Sequence, residues 1–131
     1  MIRAREVLAG DTITIRPSCA LREAIDLLLE SEVSGLPVTD DAGHLVGIIT
    51  EFAMLAITYD DCLDNDLVAQ HMTTDVLTVD VNDPISKAAD LCIVHRVRRV
   101  PVMENGKLVG LISRRDVLRA VYESAYSATA T

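Results

Sequence analysis

The chain has 131 residues, half of them hydrophobic, and carries a formal charge of −8. That length supports one compact body or two small lobes sharing a core, and the acidic balance disfavours general binding to nucleic acid or to an anionic membrane surface. No run approaches the roughly 18 apolar residues of a bilayer span, no apolar stretch follows Arg3, Arg5 and Glu6 to make a signal peptide, and a single Phe with no Trp offers little for stacking on bases.

Taken in order, the chain reads helix, strand, helix, strand, hairpin turn, strand, helix, and then repeats that series. A short strand near Ile13–Ile15 leads into Leu21, Ala24, Ile25, Leu28 and Leu29, which fall at i, i+3, i+4, i+7 and i+8 and predict an amphipathic helix. Strands at Leu36–Thr39 and Leu45–Thr50 flank a loop containing Gly43, and a closing helix takes about 51–59. The acidic stretch 60–66 follows, with Asp66 expected to cap a short helix reaching Met72. A second short strand lies near Leu77–Val79. Asp83 and Pro84 then read as N-cap and first turn of a helix whose stripe is Ile85, Ala88, Ala89, Cys92 and Ile93. Strands at Val100–Met103 and Leu108–Ser113 flank Glu104-Asn105-Gly106, and Asn-Gly is a hairpin signal because both residues tolerate positive φ. A closing helix takes about 114–125, and Ser124–Thr131 has little to pack against and is expected to fray.

The two series are one unit written twice. Val38 and Val102 lie 64 positions apart, Gly47 and Gly110 lie 63 apart, so one residue is missing at the second loop tip. The expected division is repeat one at 1–60, an acidic linker at 61–66, repeat two at 67–123 and a tail at 124–131. Two such units bury their open faces against each other, and the seam is where a ligand would sit.

Charge is unevenly placed. Seven of the 12 Lys and Arg lie between Arg96 and Arg119, opposed there only by Glu104 and Asp116. One basic patch on an acidic chain suits a small anion better than a polyanion. Within it, Gly110-Leu111-Ile112-Ser113-Arg114-Arg115-Asp116 passes from a buried strand into a helix. A helix start offers free N–H groups and partial positive charge to a phosphate or a sugar hydroxyl. A carboxylate three residues in can accept hydrogen bonds from a ribose diol, and Arg99 can supply a charge-assisted phosphate contact. The competing reading is a capping box, in which Ser113 and Asp116 satisfy backbone donors and do nothing more.

These residues resemble the cystathionine-β-synthase (CBS) domain family in its tandem form. The resemblance rests on the repeated V-x-x-[LV]-P-V…G-[IL]-I-[ST] pattern, on His71-Met72-Thr73 ahead of the second copy, and on G-L-I-S-R-R-D, and it extends to about residue 123. It implies an α/β (α+β) fold of two β-α-β-β-α repeats related by pseudo-twofold symmetry. It further implies a regulatory module that binds an adenosine-containing ligand (AMP, ADP, ATP or S-adenosylmethionine) between the repeats. Such modules commonly dimerise. On that resemblance Asp116 would take the ribose, Ser113 would supply a hydroxyl contact, Arg99 would meet phosphate and Leu111 would line the adenine slot, closed by the segment from Asp11 to Ile13. The first copy keeps Gly47 and Thr50 but has Ala53 for the carboxylate and Gly35 for Arg99. Its weaker site would be lined by Leu36, Thr50, Asp75 and Leu77. A ligand-free dimerisation or scaffold module is the alternative. No required cofactor is implied. The expected partners are the adenosine ligand, a second copy of the chain and a separate effector protein, with neither nucleic acid nor membrane.

Other signals weigh less. Cys19, Cys62 and Cys92 are an odd number with no C-x-x-C, so they form no disulfide framework and point to a reducing compartment, the cytoplasm by default. His44, His71 and His95 form no metal motif; Cys92 and His95 share a helix face, but Cys92 continues the apolar stripe. The 60–66 run fails as a calcium loop, with Asn65 where Gly is needed. No nucleophile, base and orienter can be assembled, so no catalysis is expected. Phe52, Leu55, Ala56 and Tyr59, with Val117, Leu118, Val121 and Tyr122, form apolar faces that are either core or a dimer surface.

Overall fold

A computed structural model describes residues 1–8, 12–60 and 65–126. The fold is mixed α+β, with helices α1 (Leu21–Ser31), α2 (Glu51–Tyr59), α3 (Val68–His71), α4 (Ile85–His95) and α5 (Arg114–Tyr126). The strands are β1 (Gly35–Thr39), β2 (Leu45–Thr50), β3 (Val79–Asp80), β4 (Arg99–Glu104) and β5 (Lys107–Ser113), and a 3-10 turn occupies Ala4–Glu6. The antiparallel pair β1–β2 forms one sheet; β3, parallel to β4, and β5, antiparallel to it, form the other. Among the described residues no helix is long and apolar enough to cross a membrane.

The chain divides into two compact units, Met1–Thr12 with Leu77–Thr131, and Ile13–Val76. We call them the Asp116 unit and the Ala53 unit. They cut across the repeats, because each takes the leading segment of the other copy. In the Asp116 unit, Ala4 N–H donates to Asp83 O at 2.9 Å, and Ile85 N–H donates to Ile2 O at 2.9 Å. In the Ala53 unit, Val68 N–H donates to Cys19 O and Leu21 N–H to Asp66 O, each at 2.9 Å. These are the same bonds 64 positions apart. The bridges Arg3–Pro84 and Ala20–Leu67 repeat the correspondence.

Each unit closes its own core. In the Ala53 unit the core is Ile15, Leu21, Ala24, Leu28, Leu36, Val38, Ile49, Met54 and Val68. Each of these has a counterpart in the other core: Val79, Ile85, Ala88, Cys92, Val100, Val102, Ile112, Val117 and Ala4. The apolar spacing of α1 and α4 is therefore realised, except at its last position. Leu29 and Ile93 are exposed, because eight residues advance about 80° beyond two full turns and swing off the stripe.

Several helix ends differ from expectation. Pro84, in extended backbone, is the N-cap of α4; Asp83 sits one residue earlier, where its carboxylate accepts from Asp80 N–H at 2.8 Å and pairs with Lys87 at 3.1 Å. Asp66 does not cap α3 either. Leu67 is the N-cap, and Asp66 Oδ2 meets His71 Nε2 at 2.6 Å. Helix α5 continues to Tyr126, past the expected start of the tail. At the second hairpin Asn105 and Gly106 adopt φ of 53° and 80°, as the Asn-Gly pair requires.

Candidate functional site

The two helix starts that follow the hairpins are built alike. Antiparallel register sets Arg99 opposite Ser113 in one unit and Gly35 opposite Thr50 in the other. A backbone bond then ties the strand opening to the helix: Arg114 N–H donates to Arg98 O at 2.7 Å, and Glu51 N–H donates to Ser34 O at 2.9 Å. The hydroxyls cap in the same way. Ser113 Oγ accepts from Asp116 N–H at 3.1 Å, and Thr50 Oγ1 accepts from Ala53 N–H at 3.2 Å.

That match separates cap from carboxylate. The Thr50 cap forms with an alanine three residues on, so the hydroxyl cap needs no acid at that third position. In α5 the Asp116 carboxylate turns to Arg119 Nη1, 3.1 Å away, and its side chain is 30% exposed. The reciprocal half of a capping box is thus not made by Asp116. Ser113 spends an acceptor on the Asp116 amide and keeps its O–H to donate. Arg98, Arg99, Arg114 and Arg115 crowd this corner by adjacency and register. The matching positions in the other unit are Ser34, Gly35, Glu51 and Phe52, and none is a cation.

The structure therefore brings Arg99, Ser113 and Asp116 to one end of the Asp116 unit. Leu111 lies in the same strand as Ser113, directly opposite Pro101, and is buried. Ile13 belongs to the Ala53 unit and is exposed; Asp11 lies outside the described residues. Of the weaker set, Leu36 is wholly buried in the core, Thr50 caps α2, Asp75 is exposed, and Leu77 opens the Asp116 unit's second segment. Sequence reasoning did not pick out Arg119, although its i, i+3 spacing from Asp116 is a recognisable ion-pair signal.

The remaining candidates settle elsewhere. Cys92 packs in the core, and burial pushes its thiol pKa up. His95 is exposed at the end of α4, and His44 Nδ1 lies 3.2 Å from Asp40. The first four residues of the acidic linker, 61–64, lie outside the described residues. Val117 is core, whereas Phe52, Leu55 and Tyr59 on α2 and Leu118, Val121 and Tyr122 on α5 remain exposed, Phe52 and Tyr59 by more than four-fifths (81% and 86%).

With this geometry in place, comparison with known proteins finds a CBS domain at residues 4–60 and again at 66–123. The chain belongs to the CBS domain family. It is 35% identical over 118 residues to inosine-5′-monophosphate dehydrogenase of Methanocaldococcus jannaschii, covering 89% of this chain and 23% of that enzyme. It is 29% identical to the chloroplastic CBS domain-containing protein CBSX2 of Arabidopsis thaliana, covering 83% of this chain and 58% of that protein. It thus spans less than two-thirds of either relative, and in the dehydrogenase the matched stretch is a minor part of an enzyme. Among solved structures, CBSX2 in complex with AMP superposes with a TM-score of 0.85 at 28% identity, covering 95% of this chain and 99% of that one. The tandem pair and its α+β architecture are those of CBS-pair proteins.

Proposed function

We propose that this chain is a regulatory module that binds an adenosine-containing ligand at the Asp116 unit and acts on a separate partner protein. Asp116 accepts the ribose hydroxyls, Arg99 meets a phosphate, and the Ser113 hydroxyl with the start of α5 completes the polar contacts. Leu111 lines the adenine. One observation carries the reading: Thr50 makes the same hydroxyl cap with Ala53 at the third position, so the Ser113 cap does not call for the Asp116 carboxylate that stands three residues beyond the Arg99–Ser113 pair. The similarity to CBSX2, which holds AMP, supports the ligand class. The ligand itself, whether AMP, ADP, ATP or S-adenosylmethionine, is read from thermal melting with each in turn. A ligand at 100 times its dissociation constant adds about 2.7 kcal/mol. The increment disappears in Asp116→Ala; if that variant lowers the unliganded melting point and keeps the increment, the carboxylate has only a structural role.

A second reading, a dimeric scaffold without ligand, draws on the exposed aromatic and aliphatic faces of α2 and α5. Sedimentation of wild type against Phe52→Glu with Tyr122→Glu tests the dimer; an unchanged mass overturns it. Cys19 and Cys92 are free thiols, in keeping with a reducing, cytoplasmic setting.

A further inference from the structure

The Ala53 unit carries a groove that the ligand reading leaves unused. It encloses about 560 Å³ and is lined by Thr14, Ile15, Arg16 and Cys19 on one side and by Glu23, Asp26, Leu27 and Glu30 of α1 on the other. The first wall is an extended segment bound to β1 along one edge only: Ile15 N–H donates to Pro37 O at 3.1 Å and Ile15 O accepts from Thr39 N–H at 3.0 Å. Backbone groups of alternate residues in a strand point to opposite edges. The N–H and C=O of Thr14 and the N–H of Arg16 therefore face away from β1, and among the described residues no hydrogen bond fills them. The Arg16 C=O alone is taken, by Cys19 N–H at 3.1 Å.

The second wall is acidic and unneutralised. Glu23, Asp26 and Glu30 are exposed, and no cation pairs with them among the described residues. The guanidinium that lines the groove is committed elsewhere: Arg16 Nη1 donates to Thr39 Oγ1 and Asp40 O, each at 2.8 Å, and Nε lies 3.5 Å from Asp41. Dimensions match as well. Glu23 to Glu30 spans about 10 Å at 1.5 Å per helical residue, the length of about three strand residues at 3.3 Å each. Two basic side chains at i and i+2 of an added strand would lie along that acidic row.

The geometry points to a docking groove for an extended basic peptide, which adds as a strand beside Thr14–Arg16 and sets alternate Lys or Arg side chains against Glu23, Asp26 and Glu30. Main-chain bonds to an open strand edge give such a site its affinity, and the side chains on one face give it its selectivity. The occupant is a segment of a partner protein; the groove's lining belongs to the Ala53 unit, whereas Arg99, Ser113 and Asp116 belong to the Asp116 unit.

The test titrates the whole chain with acetyl-(Lys-Val)3-amide, following backbone amide shifts by NMR. The expected result is saturable shifts at Thr14, Arg16 and α1, weakened roughly tenfold in a Glu23→Gln, Asp26→Asn, Glu30→Gln variant, since three exposed charge contacts are lost. The same peptide N-methylated at alternate residues loses binding to wild type, a control that needs no variant to fold. Equal binding of acetyl-(Glu-Val)3-amide, undiminished binding of the N-methylated peptide, or no shift by about 1 mM peptide overturns the groove. The triple variant keeps its adenosine-dependent melting increment, which keeps this result separate from the ligand reading.

Discussion

The Asp116 unit and the Ala53 unit share a backbone plan down to single hydrogen bonds, yet their corresponding corners carry opposite chemistry. Ser113 and Thr50 cap within 0.1 Å of each other (3.1 and 3.2 Å). Both helix starts are laced to the strand behind them. Around those matched caps stand Arg98, Arg99 and Asp116 on one side and Ser34, Gly35 and Ala53 on the other. The hydroxyl cap forms with either set, so it does not account for the charged one; Asp116 pairs at this corner with Arg119.

The sharpest way to break the comparison is to erase it. Arg99→Gly with Asp116→Ala gives the charged corner the residues that stand at Gly35 and Ala53 in its counterpart. Each lost charge-assisted hydrogen bond is worth about 1.5–3 kcal/mol, so adenosine-ligand affinity measured by calorimetry falls by about 100-fold or more, while the unliganded melting point stays close to wild type. A collapse of that melting point shows the charges to be structural. The reverse exchange, Ala53→Asp, adds a weak second binding event or none, because Gly35 still supplies no cation.

Next in size is a contact that only the Ala53 unit is described as having. A Cβ at Gly47 would lie 2.7 Å from Met72 Sδ and 2.9 Å from Thr73 O. The segment carrying Met72 crosses β2 here, bonded through Ile48 N–H to Thr73 O and Thr73 N–H to Ile48 O at 2.9 Å each. Gly47→Ala therefore destabilises by about 1–3 kcal/mol, read by urea unfolding. Adding Met72→Ala relieves only part, because the Thr73 carbonyl remains; full rescue means that the side chain was the whole obstacle.

Much of this was legible in the sequence. Two copies with a 64- or 63-residue offset give the cores, because apolar periodicity and strand alternation are local signals. The range Leu45–Thr50 and its following helix appear where expected, since a β-branched run ending in a Thr cap leaves little freedom. The exchange of leading segments was not legible. It rests on bonds such as Ala4 N–H to Asp83 O, between residues that no local pattern joins. Asp66 and Asp83 were misplaced for a related reason: a short acid before a helix has several backbone and side-chain partners within reach, and here His71 and Asp80 N–H won. At the candidate site, the Ser113 cap on the Asp116 amide was readable from spacing. That the cap forms without an acid at the third position was not, because it depends on seeing Thr50 cap Ala53.

The caps themselves supply a symmetric pair of tests. Ser113→Ala and Thr50→Ala each cost about 1 kcal/mol of unfolding free energy, and the two losses are alike. Only Ser113→Ala also weakens ligand. A smaller pair lies at the far ends of α1 and α4, where Glu32 and Arg96 occupy left-handed backbone with φ of 54° and 57°. Glycine removes the Cβ strain of that conformation, so Glu32→Gly and Arg96→Gly each raise stability by about 0.5–1 kcal/mol, from the 1–2 kcal/mol steric cost less the added chain entropy. Equal gains hold the frames to be equivalent, and a drop in ligand affinity with Arg96→Gly alone would extend the site to that arginine.

The smallest expected effect is acid sensitivity, and there the units trade places. In the Asp116 unit, the Asp80 N–H and then Lys87 hold the Asp83 carboxyl below the usual carboxylate range, against the opposing cost of burial. The corresponding position in the Ala53 unit is Cys19, which has no such charge. That unit places its low-pKa carboxylate at Asp40 instead, which the His44 N–H lowers most, with Ala42 N–H and the His44 ring adding to it. The position matching Asp40 is Glu104, which reaches Arg5 at 3.0 Å and leaves the turn backbone to Asn105 and Gly106. Both depressed groups contribute stability that is fully present above the unfolded carboxylate value of about 3.9 and is lost as pH falls through their lower folded values. Amide protection factors, taken against the intrinsic exchange rate at each pH, therefore fall below about pH 4, first at the α4 approach in one unit and at the β1–β2 turn in the other. Asp83→Asn flattens only the former and Asp40→Asn only the latter; a single variant that flattens both means the units do not respond to acid separately.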